Sequence, residues 1–579
     1  MQKMKMKLKY GIRTGLAAVA AAVSVIGCTD TWDEHYDAGA SLGGSTGATL
    51  WANLQQDESL RPFVTVLDSC GYAPILNGSQ VFSVWAPQIS EQEAAEWIAA
   101  YRASRADDEE NPALHEFIRN HIALFNHQVS ELTDDTVRVM NGKRMALTPT
   151  SFGGETLVGE KVPSANGVLY KIAGTVPFDP NIWEQVRRES TGGDDGLDSV
   201  EAFFRRWAYE VLDEGASVPG GVEDGQTVYL DSVMVSYNTF FNSYGLIDSE
   251  DSLYWLLAPT NSEWKKLVDR NRRFFSYHAD RLDEGDSLLD VYSKLMVLES
   301  SFFNVRYQPG RNWNPENPDS ICSTMYSRYS PGYNCFERPF DAGGVLYGLT
   351  PKECSNGRLY KTAEWNVPLE KSSFMETVKV EAENDRYIEY VNQTDNNTVT
   401  ATPMTAAPAY ARYVSGGAYL RVADTRTGFG RRAQIIIKLP NNLSGCPYDI
   451  KVVFASPLVA GESYLEDAML NRRVTASLNY YQSTAEGSGF KTTGDNLCTN
   501  VEVNAMVMDT VTVAEGFNAR VSGYSGQGFP VCAYGEQEPR VQLTLQGISN
   551  NPPAGYASEL LIDCVLFVPR PDLIVEDDN

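Results

Sequence analysis

The sequence predicts a multidomain α+β protein in which two related α/β domains precede an all-β domain. SANGVLYK at residues 164–171 recurs as CSNGRLYK at 354–361, and VWAP at 84–87 is echoed by LLAPTN at 256–261. In each copy an apolar strand ending in Ala-Pro comes first, then a helical stretch, then a strand with Asn-Gly. Because this order is kept, the repeats predict two homologous domains.

The helical parts of the two copies are visible as apolar periodicity. Residues 50–67 place leucine, phenylalanine and valine at helical spacing with an interruption near Pro62, which predicts two short helices packed on a sheet. In residues 199–215, Ser199 is a candidate N-cap, and Phe203, Trp207 and Val211 belong to an apolar stripe. This second pattern predicts one amphipathic helix.

After Pro368 the pattern changes to short apolar strands separated by Gly, Asn, Ser and Pro. The segments are QIIIKL (434–439), DIKVVFAS (449–456), RVTASLNYY (473–481), TVTVA (510–514), VQLTLQ (541–546) and LLIDCVLFVP (560–569). This spacing predicts an all-β sandwich over residues 373–579.

The first and last strands of this region, VKVEAEN (378–384) and LLIDCVLFVP, resemble those of jelly-roll carbohydrate-binding modules. The resemblance implies a jelly-roll-like sandwich in which acids at these places can hold a structural calcium ion. Glu381, Glu383 and Asp563 are the matching positions. Calcium needs six to eight oxygen ligands, so we favour ordinary solvated acids at strand ends and expect no cofactor and no metal.

The repeated motifs resemble the fasciclin domain family. The first copy offers VFSVWAP (81–87), FIRNH (117–121), VRVMNGKRMAL (137–147) and SANGVLYKIAGTVPF (164–178), although Gln88 and Ile89 replace the usual Thr-Asn. The second copy keeps LLAPTNSEW (256–264) and SNGRLYKTAEWNVP (355–368) but lacks the histidine in LMVLESSFF (295–303). The resemblance implies a fasciclin-like domain over 49–181, a degenerate one over 182–372, no catalytic machinery, and a role in adhesion or binding.

The N-terminus has the pattern of a secretory signal. Lysines and an arginine precede an uncharged apolar run over 15–27, which is too short to span a membrane. The junction before Cys28 resembles the lipobox of bacterial lipoproteins, and acids after the cysteine resemble a surface-export tag of Bacteroidetes. We therefore expect a signal peptide (1–27), a lipidated Cys28, an acidic linker (28–48) and an outer-membrane, cell-surface location. The alternative is a soluble periplasmic protein in which Cys28 is incidental.

Composition narrows the function classes. The net charge of −27 excludes nucleic acid as an expected partner, because phosphate binding relies on basic surface. His115, His121 and His127 recur every six residues, a spacing that scatters them around a helix, and no nucleophile or carboxylate pair stands out. We therefore expect a protein that is not an enzyme. His121 matches a structural position of the fasciclin family, and this resemblance implies a packed core histidine.

The segment 302–340 interrupts the second copy and concentrates aromatic residues and arginines. Such residues mark interface hot spots, and flat aromatic rings also stack on sugars. The candidate binding residues are Arg311, Trp313, Tyr326, Arg328, Tyr329 and Tyr333, with Cys322 and Cys335 as a candidate disulfide. A loop that merely packs on its own domain explains the composition equally well.

Two functions remain open from the sequence. Fasciclin-bearing lipoproteins of Bacteroidetes look like accessories of TonB-dependent, starch-utilisation-type importers, which implies an auxiliary subunit for glycan or peptide uptake. Its partners would then be the outer membrane, the importer and the importer's surface lipoprotein. The alternative is a free-standing surface adhesin that binds glycan or extracellular protein.

Overall fold

The computed structural model describes most of the chain after its N-terminal segment. The described residues are 47–104, 111–128, 135–212, 218–223, 226–231, 234–275, 282–308, 313–316, 318–326, 332–384, 388–389, 397–404, 408–424, 432–438, 446–460, 469–484, 487–492, 497–517, 541–548 and 555–574. The predicted signal peptide, Cys28 and nearly all of the predicted linker lie outside them. None of the helices in these ranges is both long enough and apolar enough to cross a membrane. The chain divides into two compact units, Met1–Phe178 and Asp179–Asn579.

The first unit combines a helical layer with two small sheets. Its helices are α1 (Leu50–Gln56), α2 (Arg61–Ser69), α3 (Ala73–Asn77) and α4 (Glu91–Ala103), followed by a π-helix (Ala113–Ile118). Its strands are β1 (Phe82–Pro87), β2 (Ile122–Leu124), β3 (Asp135–Arg138), β4 (Arg144–Leu147), β5 (Ser151–Phe152), β6 (Glu155–Thr156), β7 (Val162–Ser164) and β8 (Gly167–Ile172). The two short helices predicted around Pro62 are α1 and α2, and Pro62 lies in the first turn of α2.

The central sheet of this unit has the order β2-β1-β8-β7, with β1 parallel to β8. Alternate residues of β1 point to opposite faces, so Val84 packs with the helices and Trp85 packs towards the second sheet, β3-β4-β5-β6. The Trp85 ring stacks on Phe152 at 3.9 Å between ring centroids. Both faces of the sheet are therefore covered, and all six residues of β1 are buried.

The second unit begins with a repeat of the same architecture. Its helices are α5 (Ile182–Arg188), α6 (Asp198–Arg205), α7 (Thr239–Tyr244), α8 (Asn261–Arg272) and α9 (Leu282–Leu298). The strands are β9 (Ala208–Leu212), β10 (Val218–Glu223), β11 (Gln226–Asp231), β12 (Met234–Asn238), β13 (Tyr254–Pro259), β14 (Phe302–Asn304), β15 (Ser320–Tyr326), β16 (Tyr333–Glu337), β17 (Lys352–Cys354) and β18 (Gly357–Thr362). Its sheet order, β14-β13-β18-β17 with β13 parallel to β18, matches that of the first unit.

The Asn-Gly pairs occupy equivalent places in the two repeats. Asn166 accepts the Leu50 N–H at 2.8 Å, and Asn356 accepts the Ile182 N–H at 2.9 Å, so each asparagine holds the start of the first helix of its repeat. Gly167 and Gly357 both have φ near +140°, and a Cβ on either would lie within 2 Å of a carbonyl oxygen of the neighbouring strand. Glycine is required there because the strands approach too closely for a side chain.

The helix predicted over 199–215 is shorter than expected. Helix α6 runs from Asp198 to Arg205, so Ser199 lies inside it, and the N-cap position is Leu197. Val211 is in strand β9, which pairs with β12. The apolar spacing of Trp207 and Val211 fits a helix in the sequence, but the chain leaves the helical layer after Arg206, and tertiary pairing decides the outcome.

The rest of the second unit is all-β, as predicted. Its strands are β19 (Val378–Glu381), β20 (Ile388–Glu389), β21 (Asn397–Pro403), β22 (Ala418–Asp424), β23 (Gln434–Lys438), β24 (Tyr448–Phe454), β25 (Arg472–Thr484), β26 (Gly487–Thr492), β27 (Cys498–Val503), β28 (Asp509–Phe517), β29 (Val541–Gly547) and β30 (Leu560–Pro569). They form two antiparallel sheets, β21-β22-β30-β24-β28 with β19 on β30, and β20-β23-β29-β25-β26 with β27 on β25. Buried side chains of both sheets belong to one hydrophobic cluster.

Candidate functional site

The candidate binding segment of the second repeat folds as a hairpin. Strands β15 and β16 pair antiparallel, with Cys322 opposite Cys335 and Tyr326 opposite Tyr333. A disulfide joins Cys322 to Cys335 across the two strands. The hairpin is thus held covalently a few residues from the tyrosines.

Side-chain hydrogen bonds attach this hairpin to the central sheet of the repeat. The Cys322 N–H donates to Gln308 Oε1 at 2.8 Å, and Gln308 Nε2 donates to the Cys322 carbonyl at 2.9 Å. Gln308 Nε2 also donates to the carbonyl of Asn304, the last residue of β14, at 2.9 Å. The Gln308 side chain therefore links strand β14 to the hairpin by hydrogen bonds to backbone groups of both. Ile321 and Phe336, on the inner face of the hairpin, are buried in the apolar cluster of this repeat.

Tyr326 and Tyr333 lie at the far end of the hairpin and are exposed. Their side chains are 56% and 52% accessible, and their rings meet edge to face with centroids 5.4 Å apart. Edge-to-face geometry is a favourable aromatic arrangement, so the pair can hold its shape before any ligand arrives. Tyrosine has few rotatable bonds, and a rigid exposed pair costs little entropy on binding.

Trp313 occupies a different environment from these tyrosines. It is partly buried against the cluster under the sheet, with its ring centroid 5.7 Å from that of Trp255. The Arg358 guanidinium lies over the Trp255 ring, 5.2 Å from its centroid. It also forms ion pairs with Glu353 and Glu316. Trp313 therefore contributes packing as well as any contact with a ligand.

The remaining predicted binding residues, Arg311, Arg328 and Tyr329, lie outside the described residues. The structure thus brings Tyr326, Tyr333 and the disulfide together and sets Trp313 apart from them. Sequence reasoning missed Gln308 and Arg358, which support the hairpin and the loop beside Trp313. The sequence signal for Gln308 was its place in the segment 302–340, four residues after Asn304.

A second polar cluster lies in the all-β part, where the three acids matched to calcium positions come together. Asp563 is buried and accepts the Ser415 N–H at 3.0 Å, while Glu381 accepts the Ser415 hydroxyl at 2.7 Å. The Lys379 ammonium lies 3.1 Å from Glu381 Oε1. The lysine thus already supplies a positive charge beside Glu381.

The other two acids of this cluster, Glu383 and Asp563, have raised pKa values, so each binds a proton more readily than a free carboxylate. Burial, with the charge of Glu381 beside it, raises the pKa of Glu383 to about 7. Burial, with Glu381 and Glu383 nearby, raises the pKa of Asp563 to about 7. Among the described residues, no group of three His, Cys, Asp or Glu side chains is placed to hold a metal ion.

His121 is a core residue of the first unit. It is fully buried, and Val176 N–H donates to its Nε2 at 3.0 Å, which leaves Nδ1 to donate to the Phe117 carbonyl at 2.7 Å. Burial lowers the pKa of this histidine to about 4, so the ring is neutral at pH 7. Both ring nitrogens are used by the backbone.

Comparisons with known proteins add little to this geometry. No family model matches the chain, and no curated protein matches it. A structural comparison finds a FAS1 domain pair from the insect cell adhesion molecule Fasciclin I, at 11% identity, covering 55% of this chain and 99% of that one, with a TM-score of 0.17. A TM-score of this size carries no argument about fold or function.

Proposed function

We propose that this protein is a non-enzymatic, lipid-anchored surface protein that uses the tyrosine hairpin to bind a partner, as an auxiliary subunit of a TonB-dependent nutrient importer. The observation that carries the proposal is the exposed Tyr326–Tyr333 pair on a disulfide-joined hairpin. Aromatic side chains held rigidly on a protein surface are typical of binding hot spots. The architecture proposed with it is two fasciclin-like domains followed by a jelly-roll-like sandwich.

The Cys28 part of the proposal rests on the sequence before residue 47. A basic stretch, a short apolar run and a cysteine followed by acids are the features of an exported lipoprotein. Cys28→Ser should release the protein from the outer-membrane fraction into the soluble fraction. A variant that still fractionates with the membrane and resists a salt wash contradicts the lipid anchor.

The test of the binding role is an affinity pull-down of the tagged protein from its native outer membrane. Tyr326→Ser with Tyr333→Ser should lower recovery of a TonB-dependent barrel and its surface lipoprotein at least tenfold. Tyr347→Ser is the matched control, because Tyr347 is an equally exposed tyrosine of the same repeat. Equal recovery by all three proteins would remove the hairpin from the interface.

The second candidate, a free-standing adhesin, is favoured by the same exposed rings, because tyrosine faces also stack on sugars. The purified ectodomain on a glycan array separates the two functions. Glycan binding that the tyrosine double variant abolishes, together with no importer in the pull-down, would assign the adhesin role. Importer recovery with a silent array would assign the accessory role.

A further inference from the structure

A β-ribbon, defined here as the paired strands β9 and β12, leaves the helical layer of the second repeat. In the described part of the chain β9 pairs with β12 alone, and β10 and β11 continue the hairpin as a separate pair. The register sets Tyr209 opposite Tyr237 and Val211 opposite Val235. At its base the Thr239 N–H donates to the Trp207 carbonyl at 3.2 Å, so the ribbon is tied to the helices there.

One face of this ribbon presents apolar and aromatic side chains to solvent. Tyr209 is 49% exposed, Val211 42% and Tyr237 44%. The planes of the two tyrosine rings are inclined by 26°, with centroids 5.9 Å apart. Glu210, on the opposite face, is exposed as well. A two-stranded ribbon accessible on both faces buries little apolar surface and is marginally stable alone, so a third strand would stabilise it.

The charged residues of strands β9 to β12 limit which kind of strand can pair with the ribbon. Strands β9, β10, β11 and β12 contain no lysine or arginine, and their acids are Glu210, Glu223 and Asp231. Two copies of the ribbon placed edge to edge would bring like charges together, which disfavours a second copy of this chain as the occupant. A strand with lysine or arginine side chains would instead be attracted by these acids.

We propose that the β-ribbon is a docking surface for a cationic, strand-forming segment of a partner protein. Such a segment adds to the ribbon edge through main-chain hydrogen bonds, as in other cases of strand addition. Its apolar side chains cover Tyr209, Val211 and Tyr237, and its lysines or arginines face Glu210. This surface lies on other elements than the tyrosine hairpin and does not depend on the role proposed for that hairpin.

The test uses a short synthetic peptide that alternates lysine with valine and tyrosine, and a matched peptide with glutamate at every lysine position. We expect the full-length protein to bind the lysine peptide at least tenfold more tightly. The affinity should fall as ionic strength rises from about 0.05 M to about 0.5 M, because salt screens exposed charges. Equal binding of the two peptides would overturn the proposal.

Variants locate the binding on the ribbon. Tyr209→Thr with Tyr237→Thr keeps residues suited to strands. This double variant should bind the lysine peptide at least tenfold more weakly than the wild type. Glu210→Lys should also lower the affinity for this peptide. The control Tyr347→Thr removes a similarly exposed tyrosine elsewhere and should leave the affinity unchanged. Circular dichroism melting checks that each variant is folded, and Glu210→Lys remains informative if the double variant is not.

Two outcomes overturn the inference. Unchanged affinity in both ribbon variants would place the peptide elsewhere on this acidic protein. A concentration-dependent dimer in sedimentation, abolished by the tyrosine double variant, would make a second copy the occupant instead.

Discussion

At the scale of single residues, buried polar groups decide how the two units respond to pH. His121 is neutral in the folded first unit because it is enclosed and its Nε2 accepts a backbone N–H. Unfolding releases it to water, where its pKa returns to about 6.5. Protonation therefore favours the unfolded chain below that pH.

We expect the first unit to lose about 2 kcal/mol of unfolding free energy between pH 7 and pH 5, because the pKa of His121 lies near 4 in the folded state. His121→Gln can keep both backbone hydrogen bonds without titrating, and should flatten this part of the profile. Denaturant unfolding followed by tryptophan fluorescence at each pH measures the difference. A wild-type profile that stays flat from pH 7 to pH 5 contradicts the assignment.

A second residue-scale prediction concerns the glycine of the repeated Asn-Gly pair. A Cβ at position 357 would lie 1.7 Å from the Tyr254 carbonyl oxygen, whereas at Gly348, which also has positive φ, it would meet no atom within 4 Å. Gly357→Ala should therefore destabilise the second unit by more than about 3 kcal/mol, and Gly348→Ala by about 1 kcal/mol. Thermal melting compares them, and similar losses would mean that φ alone, without the clash, sets the cost.

At the scale of elements, the hairpin β15–β16 depends on its cross-strand disulfide. The bond closes a short loop, with Cys322 and Cys335 separated by 13 positions. The chain-entropy estimate for a loop of this length is roughly 3 kcal/mol.

Cys322→Ser with Cys335→Ser should lower the unfolding free energy of the hairpin region by up to about 3 kcal/mol, since the loop is then open in the unfolded chain. Hydrogen exchange at β15 and β16 measures it, with the strands of the first unit as an internal control. Protection equal to that of the wild type would show that Gln308 and the apolar inner face hold the hairpin without the bond.

The helix α6 and the ribbon after it show the limit of local pattern at this scale. Phe203, Trp207 and Val211 are spaced as a helical stripe, yet Val211 lies on an exposed strand. Strand β9 exists because β12, more than twenty residues later, pairs with it. Periodicity within one segment carries no information about such a distant partner.

At the scale of the whole molecule, the two units should respond to pH in opposite directions. Glu383 and Asp563 in the all-β part have pKa values of about 7 in the folded state, above those of free carboxyls. The folded state therefore binds more protons than the unfolded state between pH 4 and pH 7. Its unfolding free energy falls as pH rises through this range.

We expect the melting temperature of the second unit to rise as pH is lowered from about 8 to about 6, while His121 begins to destabilise the first unit. Asp563→Asn should reduce the rise, because the amide keeps an oxygen for the Ser415 N–H and cannot ionise. Differential scanning calorimetry resolves the units. If added calcium at pH 8 raises the second transition, the acids bind a cation and the proton account fails.

The sequence by itself determined the repeat, the all-β C-terminal part and the core role of His121. These rest on local signals: Ala-Pro and Asn-Gly motifs in the same order, strand-length apolar runs, and one histidine at a position of the fasciclin-like motif. Each signal reflects a constraint on the residue and its near neighbours, such as the close strand approach that requires Gly167 and Gly357. Such constraints can be read without knowing what lies across the fold.

Only the tertiary structure decided which polar and aromatic residues meet. It paired Tyr326 with Tyr333, packed Trp313 against a core cluster, brought Glu383 near Asp563, and made the end of a predicted helix part of an exposed ribbon. These outcomes depend on contacts between residues distant in the chain, where packing and strand pairing outweigh local preference.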